Sequence, residues 1–287
     1  MSRIDGAAVV TGAAGGIGYA LAARCAADGM PIVLADVDPA GLDEAARQLT
    51  DTGATVLTVL TDVTDPASVE ALAERSWERF GAVALVCNNA GVGPGGVAWE
   101  IPDSVWRWVI DVDLWGVVHG VRAFVPRLVE QGHGHVLNTS SVAGLVGTPG
   151  MAPYSAAKHA VIGLSQSLRR DLELAGSPVG VTVLCPGMTR TRMNESGRAW
   201  PSARLGPPPA GGLEPSHPAT RAEFYARMNS EGQDADAVAD AALTAVREGR
   251  FWAVPDTAVL LHVETETEAM RAAAARDDAR PQEENAR

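Results

Sequence analysis

Lysine is the residue this chain nearly does without: Lys158 is the only one in 287 residues, and every other basic side chain is arginine. Cations are scarce altogether. Against 35 Asp and Glu there are 23 Lys and Arg, and the resulting net charge of −12 repels a nucleic-acid backbone or an anionic membrane surface, so neither is an expected partner. Cysteine is sparse as well. Cys25, Cys87 and Cys185 lie far apart with no Cys-x-x-Cys, which excludes a disulfide scaffold and a thiolate metal site; Cys87 and Cys185 sit in apolar runs, as reduced core thiols do. His119, His133, His135, His159, His217 and His262 have no ligand spacing, so no metal is expected. No apolar run approaches the ~18 residues of a membrane span, and the first residues lead straight into a strand pattern, so the expected location is cytoplasmic.

What the chain does have is an alternation of short apolar runs and helical periods. Ala7–Thr11 breaks into Gly12-Ala-Ala-Gly15-Gly16-Ile17-Gly18 and then a helix-like stretch. Strand, glycine turn and helix start make an anion site: Gly12 for the tight turn, Gly16 for close approach of backbone N–H groups to a pyrophosphate, Gly18 for helix–strand packing. The bland alternative is the same turn without a ligand. Pro31–Asp36 is a buried strand ending in a carboxylate 18 residues beyond Gly18, where an acid takes adenosine ribose hydroxyls. Asp36 would repel a 2′-phosphate, and neither Gly15 nor Val37 is the arginine that a phosphate wants, so NAD is expected rather than NADP.

The alternation continues through a helix at Leu42–Leu49, a strand at Ala54–Leu60 closed by Asp62-Val63, a helix at Pro66–Phe80 and a strand at Ala84–Cys87 closed by Asn88-Asn89-Ala90-Gly91. Strand ends on one edge of a parallel sheet collect around a dinucleotide, so Asp62, Val63 and the Asn-Asn-Ala-Gly turn are candidate adenine and ribose contacts. Asp103–Val129 reads as one long helix, apolar on more than one face and therefore covered on two sides. His135–Thr139 delivers Ser140 and Ser141, and Val179–Cys185 ends in Pro186-Gly187-Met188-Thr189-Arg190-Thr191. The tryptophans, Trp99, Trp106, Trp108 and Trp115 among them, are expected in the core or an interface.

Tyr154 and Lys158 stand one helical turn apart on a helix expected to reach Leu174, with Pro153 tolerable only in its first turn. A phenol working as a base near pH 7 needs its pKa lowered by ~3 units, about 4 kcal/mol, and an ammonium ~4 Å away supplies about that much at an effective dielectric of ~20.

Together these residues resemble the short-chain dehydrogenase/reductase family, in its shorter, non-extended branch, over roughly residues 4 to 262. The resemblance rests on Thr11-Gly-x-x-x-Gly-x-Gly18, Asp62, Asn88–Gly91, Ser141, Tyr154-x-x-x-Lys158 and Pro186-Gly187, in order. It implies a single doubly wound, Rossmann-type parallel sheet with helices on both faces, carbonyl–alcohol interconversion, and a homotetramer or homodimer. By the same resemblance Tyr154 is the general acid/base, Ser141 bonds the substrate oxygen with Ser140 as its fallback, and Lys158 bonds the nicotinamide ribose. Met188, Thr189 and Thr191 would hold the carboxamide; Asn89, Ala90 and Gly91 would lie beside the ribose.

The family usually has asparagine where this chain has Asp113, a residue of the relay to the lysine. An ionised Asp113 ~8 Å away would offset the lowering at Tyr154 by ~2 kcal/mol at an effective dielectric of ~20. The expectation is an NAD-dependent oxidoreductase acting on a small apolar secondary alcohol or ketone. The alternatives are an NADPH-dependent ketoreductase and a dinucleotide-binding regulatory protein without turnover. Residues 1–262 would form the catalytic domain, with a proline-rich substrate lid at about 188–230, and 263–287 a polar tail. Met193, Trp200, Leu205, Phe224 and Tyr225 would give the lid an apolar lining for an apolar substrate; the competing reading of Ser202–Thr220 is a disordered surface excursion.

Overall fold

The computed structural model describes residues 6–93, 95–209, 226–228 and 230–278. Seven parallel strands form one sheet in the order β3-β2-β1-β4-β5-β6-β7. They are β1 (Ala7–Thr11), β2 (Ile32–Asp36), β3 (Val56–Leu60), β4 (Val83–Asn88), β5 (His135–Thr139), β6 (Gly180–Leu184) and a two-residue β7 (Trp252–Ala253). Because residues alternate faces along a strand, the apolar runs feed two cores. Val9, Val33, Val86 and Val136 meet Leu72 of α3 (Pro66–Phe80), Phe124 of α5 (Gly116–Gln131) and Leu172 of α6 (Ala152–Leu174). Their neighbours Val10, Leu34, Cys87 and Leu137 meet Leu21 of α1 (Gly16–Ala27), Leu42 of α2 (Pro39–Asp51) and Leu243 of α8 (Ala235–Arg247). A doubly wound sheet follows.

The chain steps outward from β1 to β3, then returns so that β4 lies on the other side of β1. The carboxyl ends of β1 and β4 therefore flank the crevice where the strand order reverses, the place such sheets bind ligands. α3 starts at Pro66 as expected, while α2 starts at Pro39, three residues before the expected Leu42; Asp38 and Asp65 cap them, each followed by proline at the first helical position. α6 begins at Ala152 with Pro153 in its first turn, and ends at Leu174 as expected.

One expected helix is not continuous. Asp103–Val129 divides into α4 (Asp103–Ile110), a π turn at Asp111–Trp115, and α5. A π turn spends one residue more per turn than α-helix and is frequent at functional sites. Here it places Asp113, fully buried, on the inner side. The span after β6 contains a 3₁₀ segment at Arg192–Ala199 and α7 (Ser202–Leu205); the rest of the proline-rich stretch, 210–225, lies outside the described residues. α9 (Val259–Asp278) follows β7, and Leu261 and Met270 on it are about two-thirds exposed, at 67% and 65%. Among the described residues no helix is long and apolar enough to cross a membrane.

Candidate active site

A cleft of about 650 Å³ runs along the carboxyl ends of the strands, within the range of small-molecule and cofactor sites. One end is the glycine turn. Gly16 has φ +55°, a conformation that L side chains rarely adopt, and a Cβ there would press on the Thr191 methyl at 3.0 Å. A Cβ on Gly18 would enter the Gly12 carbonyl, so the helix start can sit this close to the strand only without one. Thr11 ties the turn to the end of β4: its Oγ1 accepts from the N–H groups of Asn89 (2.9 Å) and Ala90 (3.1 Å), and Asn89 Nδ2 donates to the Thr11 carbonyl at 3.1 Å. Asp36 accepts from the N–H groups of Ala14 (3.0 Å) and Asp38 (3.1 Å), and as a carboxylate it has further acceptor capacity for a ribose. Open backbone, an acid at the second strand end and this volume fit an adenine dinucleotide.

The other end of the cleft holds Tyr154 and Lys158, with the ammonium 5.4 Å from the phenol ring centre. Lys158 Nζ donates to the Thr139 carbonyl at 3.1 Å and lies 3.3 Å from Asp113 Oδ2. Asp113 Oδ1 accepts from the Val92 N–H at 2.8 Å. Among the described residues no hydrogen bond of good geometry reaches Oδ2, which faces the ammonium. The π turn carries residue 113 inward, into ion-pair contact with Lys158.

Burial first, and that contact second, reverse the simple electrostatics of Tyr154. Burial pushes the Tyr154 phenol above its ordinary pKa; Lys158 pulls it down, Asp113 pushes it up, and a hydrogen bond with Ser141 lowers it. The net direction is upward, so the expected lowering by Lys158 is present but outweighed. Burial works against the charge on Lys158, yet Asp113 and Tyr154 more than offset it and hold the ammonium above its ordinary value. Burial likewise raises Asp113, with Lys158 and the Val92 N–H opposing.

Ser141 Oγ accepts from the Ala143 N–H at 3.1 Å and is hydrogen-bonded to Tyr154. Ser140, the fallback, is occupied: its hydroxyl donates to the Lys158 carbonyl at 2.8 Å and fastens α6 to the end of β5. Of the other residues singled out by sequence, Gly12, Gly15 to Gly18, Asp36, Val37, Asp62, Val63, Asn89 to Gly91, Pro186 and Thr191 line the cleft. Gly187, Met188 and Thr189 are not part of its wall. Gly187 is packed against Asp256, and Thr189 Oγ1 donates back to the Gly187 carbonyl at 3.1 Å. Asp113 lies behind Gly91, where a Cβ would come within 3.5 Å of its Oδ2.

Met193 and Trp200, expected in an apolar lid, do line the cleft, but sequence reasoning missed Trp108 and Val92 as part of the wall. Trp108 and Trp200 meet edge to face, their ring centres 5.1 Å apart, and with Val92 and Met193 make an apolar surface beside Tyr154. Trp108 lies in the core, as expected, and also lines the cleft; Trp99 is 85% exposed and lies outside the core. Arg192, Arg198 and Arg204 also line the cleft, and nothing local in the sequence marks them.

Residues 6–202 match the family model described as short chain dehydrogenase. The chain belongs to the short-chain dehydrogenase family. Within that family it is 47% identical over 189 residues to 1-deoxy-11-beta-hydroxypentalenate dehydrogenase of Streptomyces avermitilis, covering 65% of this chain and 69% of the relative. It is 33% identical over 253 residues to a CLA biosynthesis dehydrogenase/reductase of Lactiplantibacillus plantarum, covering 85% of each. Among solved structures, a short chain dehydrogenase/reductase from Burkholderia phymatum in complex with NAD superposes with a TM-score of 0.88 at 39% identity, covering 95% of this chain and 96% of that one. The protein is an oxidoreductase of this family, and the Streptomyces relative is a dehydrogenase of a hydroxylated compound.

Proposed function

We propose that the protein is an NAD-dependent dehydrogenase that interconverts an apolar secondary alcohol and its ketone. The observation that carries this reading is that Tyr154 and Lys158 lie together at one end of a cleft whose other end is the glycine turn with Asp36, with Ser141 hydrogen-bonded to Tyr154 just behind the wall. A nicotinamide dinucleotide, when bound, would supply the hydride acceptor and, in its oxidised form, a positive charge. Gly12 and Gly15 to Gly18 would hold its phosphates, Asp36 and Val37 its adenosine ribose, and Asp62 and Val63 the adenine. Asn89 to Gly91 and Lys158 would hold the second ribose, and Thr191 with Pro186, which line the cleft where Met188 and Thr189 do not, the carboxamide.

The chain's own groups handle the proton. Tyr154 Oη, as phenolate, takes it from the substrate hydroxyl as a general base, and the Ser141 hydroxyl donates to the oxygen as charge develops there. The positive charges of Lys158 and of an oxidised dinucleotide oppose the rise that burial causes in the phenol. Lys158 keeps a fixed positive charge beside the phenol, and Asp113 positions that charge. Trp108, Trp200 and Met193 exclude water and select an apolar substrate. In this reading residues 1–262 are the catalytic domain with its lid at about 188–230, and the enzyme is a cytoplasmic homo-oligomer.

The test is direct. Protein mixed with NAD and a panel of secondary alcohols should produce reduced nicotinamide; dinucleotide binding without turnover across a broad panel would favour the regulatory alternative. Tyr154→Phe should lower kcat by at least about 100-fold, the usual worth of a general base, with cofactor affinity nearly unchanged. Substantial remaining turnover would remove Tyr154 from that role. A second reading, an NADPH-dependent ketoreductase, draws support from Arg192 beside Gly15.

A further inference from the structure

Four cationic side chains line the cleft: Lys158, Arg192, Arg198 and Arg204. Three have acids. Lys158 faces Asp113, Arg204 faces Asp111, and Arg198 lies 3.8 Å from Glu195. Among the described residues no carboxylate pairs with Arg192, in a chain whose net charge is −12. Instead its guanidinium crosses 178 residues of sequence to the glycine turn, where Nη2 donates to the Ala14 carbonyl at 3.4 Å. The same nitrogen lies 3.3 Å from where a side chain on Gly15 would begin. Next to it, the methyl of Thr191 rests on Gly16.

We propose that Arg192 is a phosphate ligand of the dinucleotide, working from the lid side of the glycine turn; this rests on the dinucleotide reading above. The turn and the start of α1 offer backbone N–H groups and a helix dipole, but no full positive charge. Arg192 adds one, in a fork that suits phosphate oxygens. Its long reach also answers the absence of arginine at positions 15 and 37, because the fold delivers from residue 192 what neither neighbour carries. The phosphate could be the pyrophosphate or a 2′-phosphate on the adenosine ribose. Asp36 and Asp38 on the same wall disfavour the second. Because Arg192 opens the 3₁₀ segment that leads to Met193 and Trp200, holding a phosphate also fixes the first residues of the substrate roof.

Calorimetric titration of the full chain and of Arg192→Ala with adenosine, ADP-ribose, NAD and NADP tests this. ADP-ribose and NAD should bind the variant about tenfold more weakly, the scale of one exposed charge-assisted hydrogen bond, and Arg192→Lys should recover part of the loss. Adenosine should bind both proteins alike, which also serves as the check that the variant is folded. A loss confined to NADP would support the phosphate role and move it to the 2′ position. Equal affinities of variant and wild type for all four ligands would overturn the proposal while leaving the dinucleotide reading intact. A wild-type protein that binds none of them would overturn that reading, and this proposal with it.

Discussion

At the scale of single residues, the ion pair between Asp113 and Lys158 sets the acid–base behaviour. A buried pair stripped of one member leaves a charge without compensation, so Asp113→Ala should cost about 3–5 kcal/mol of stability. Asp113→Asn keeps the shape and can still accept from the Val92 N–H, but removes the charge and turns an amide NH2 toward the Lys158 ammonium. Since Asp113 pushes the Tyr154 phenol upward, the asparagine variant should form phenolate more readily. The rise of kcat/KM for alcohol oxidation with pH should therefore move to lower pH, and an unmoved profile would show that Asp113 does not tune the phenol. The four-residue spacing of Tyr154 and Lys158 is visible in the sequence because helical geometry alone puts them on one face. The distance from Asp113 to the lysine is not. It depends on a backbone irregularity elsewhere in the chain.

At the scale of elements, β5 and β6 carry a pH-sensitive joint. His135 Nε2 lies 2.7 Å from Thr182 Oγ1, and that hydroxyl donates onward to the Arg250 carbonyl at 2.7 Å. Thr182 must then accept, so the ring proton is on Nε2, while Nδ1 is packed onto Gly180. Burial lowers the His135 pKa to about 4 from the ordinary 6.5. Between those values the unfolded chain binds the extra proton, so stability rises with pH there and is lost as pH falls from about 6.5 through 4. The full loss is on the order of 3 kcal/mol. Denaturant melts at pH 7 and 4.5 should show most of it in the wild type and much less in His135→Gln; equal slopes would place the sensitivity elsewhere. Most elements were legible because each apolar run is bounded by its own signal: glycines after β1, proline at the start of α2 and α3, Asn-Asn-Ala-Gly after β4. The π turn was not, since Asp-Val-Asp-Leu-Trp fits helical spacing whether the winding is regular or loose. Arg192 was equally hidden, because its partner at Ala14 is assembled by the whole sheet.

At the scale of the molecule, the two cores account for the sheet and its flanking helices, while α9 presents Leu260, Leu261 and Met270 to solvent. A helix with so little burial adds little to the fold of one chain. Ending the protein after Ala258 should therefore shift Tm by no more than ~2 °C. A much larger drop, followed by scattering or sedimentation, would reveal that another copy covers this helix. The fold was readable at this scale from the order of strands and helices alone, whereas the lid between β6 and α8 had no period to read. The π turn has a consequence for how this protein can change over time. Glycines 116 and 120, which follow it, pack onto Val63 and Asn88. The loose turn spends an extra residue while sweeping about as far around the axis as a tighter coil with one residue fewer. Excising one of positions 111–115 would therefore let the coil tighten with α5 still facing the sheet, and the loss would fall on the reach of Asp113 to Lys158 rather than on the fold.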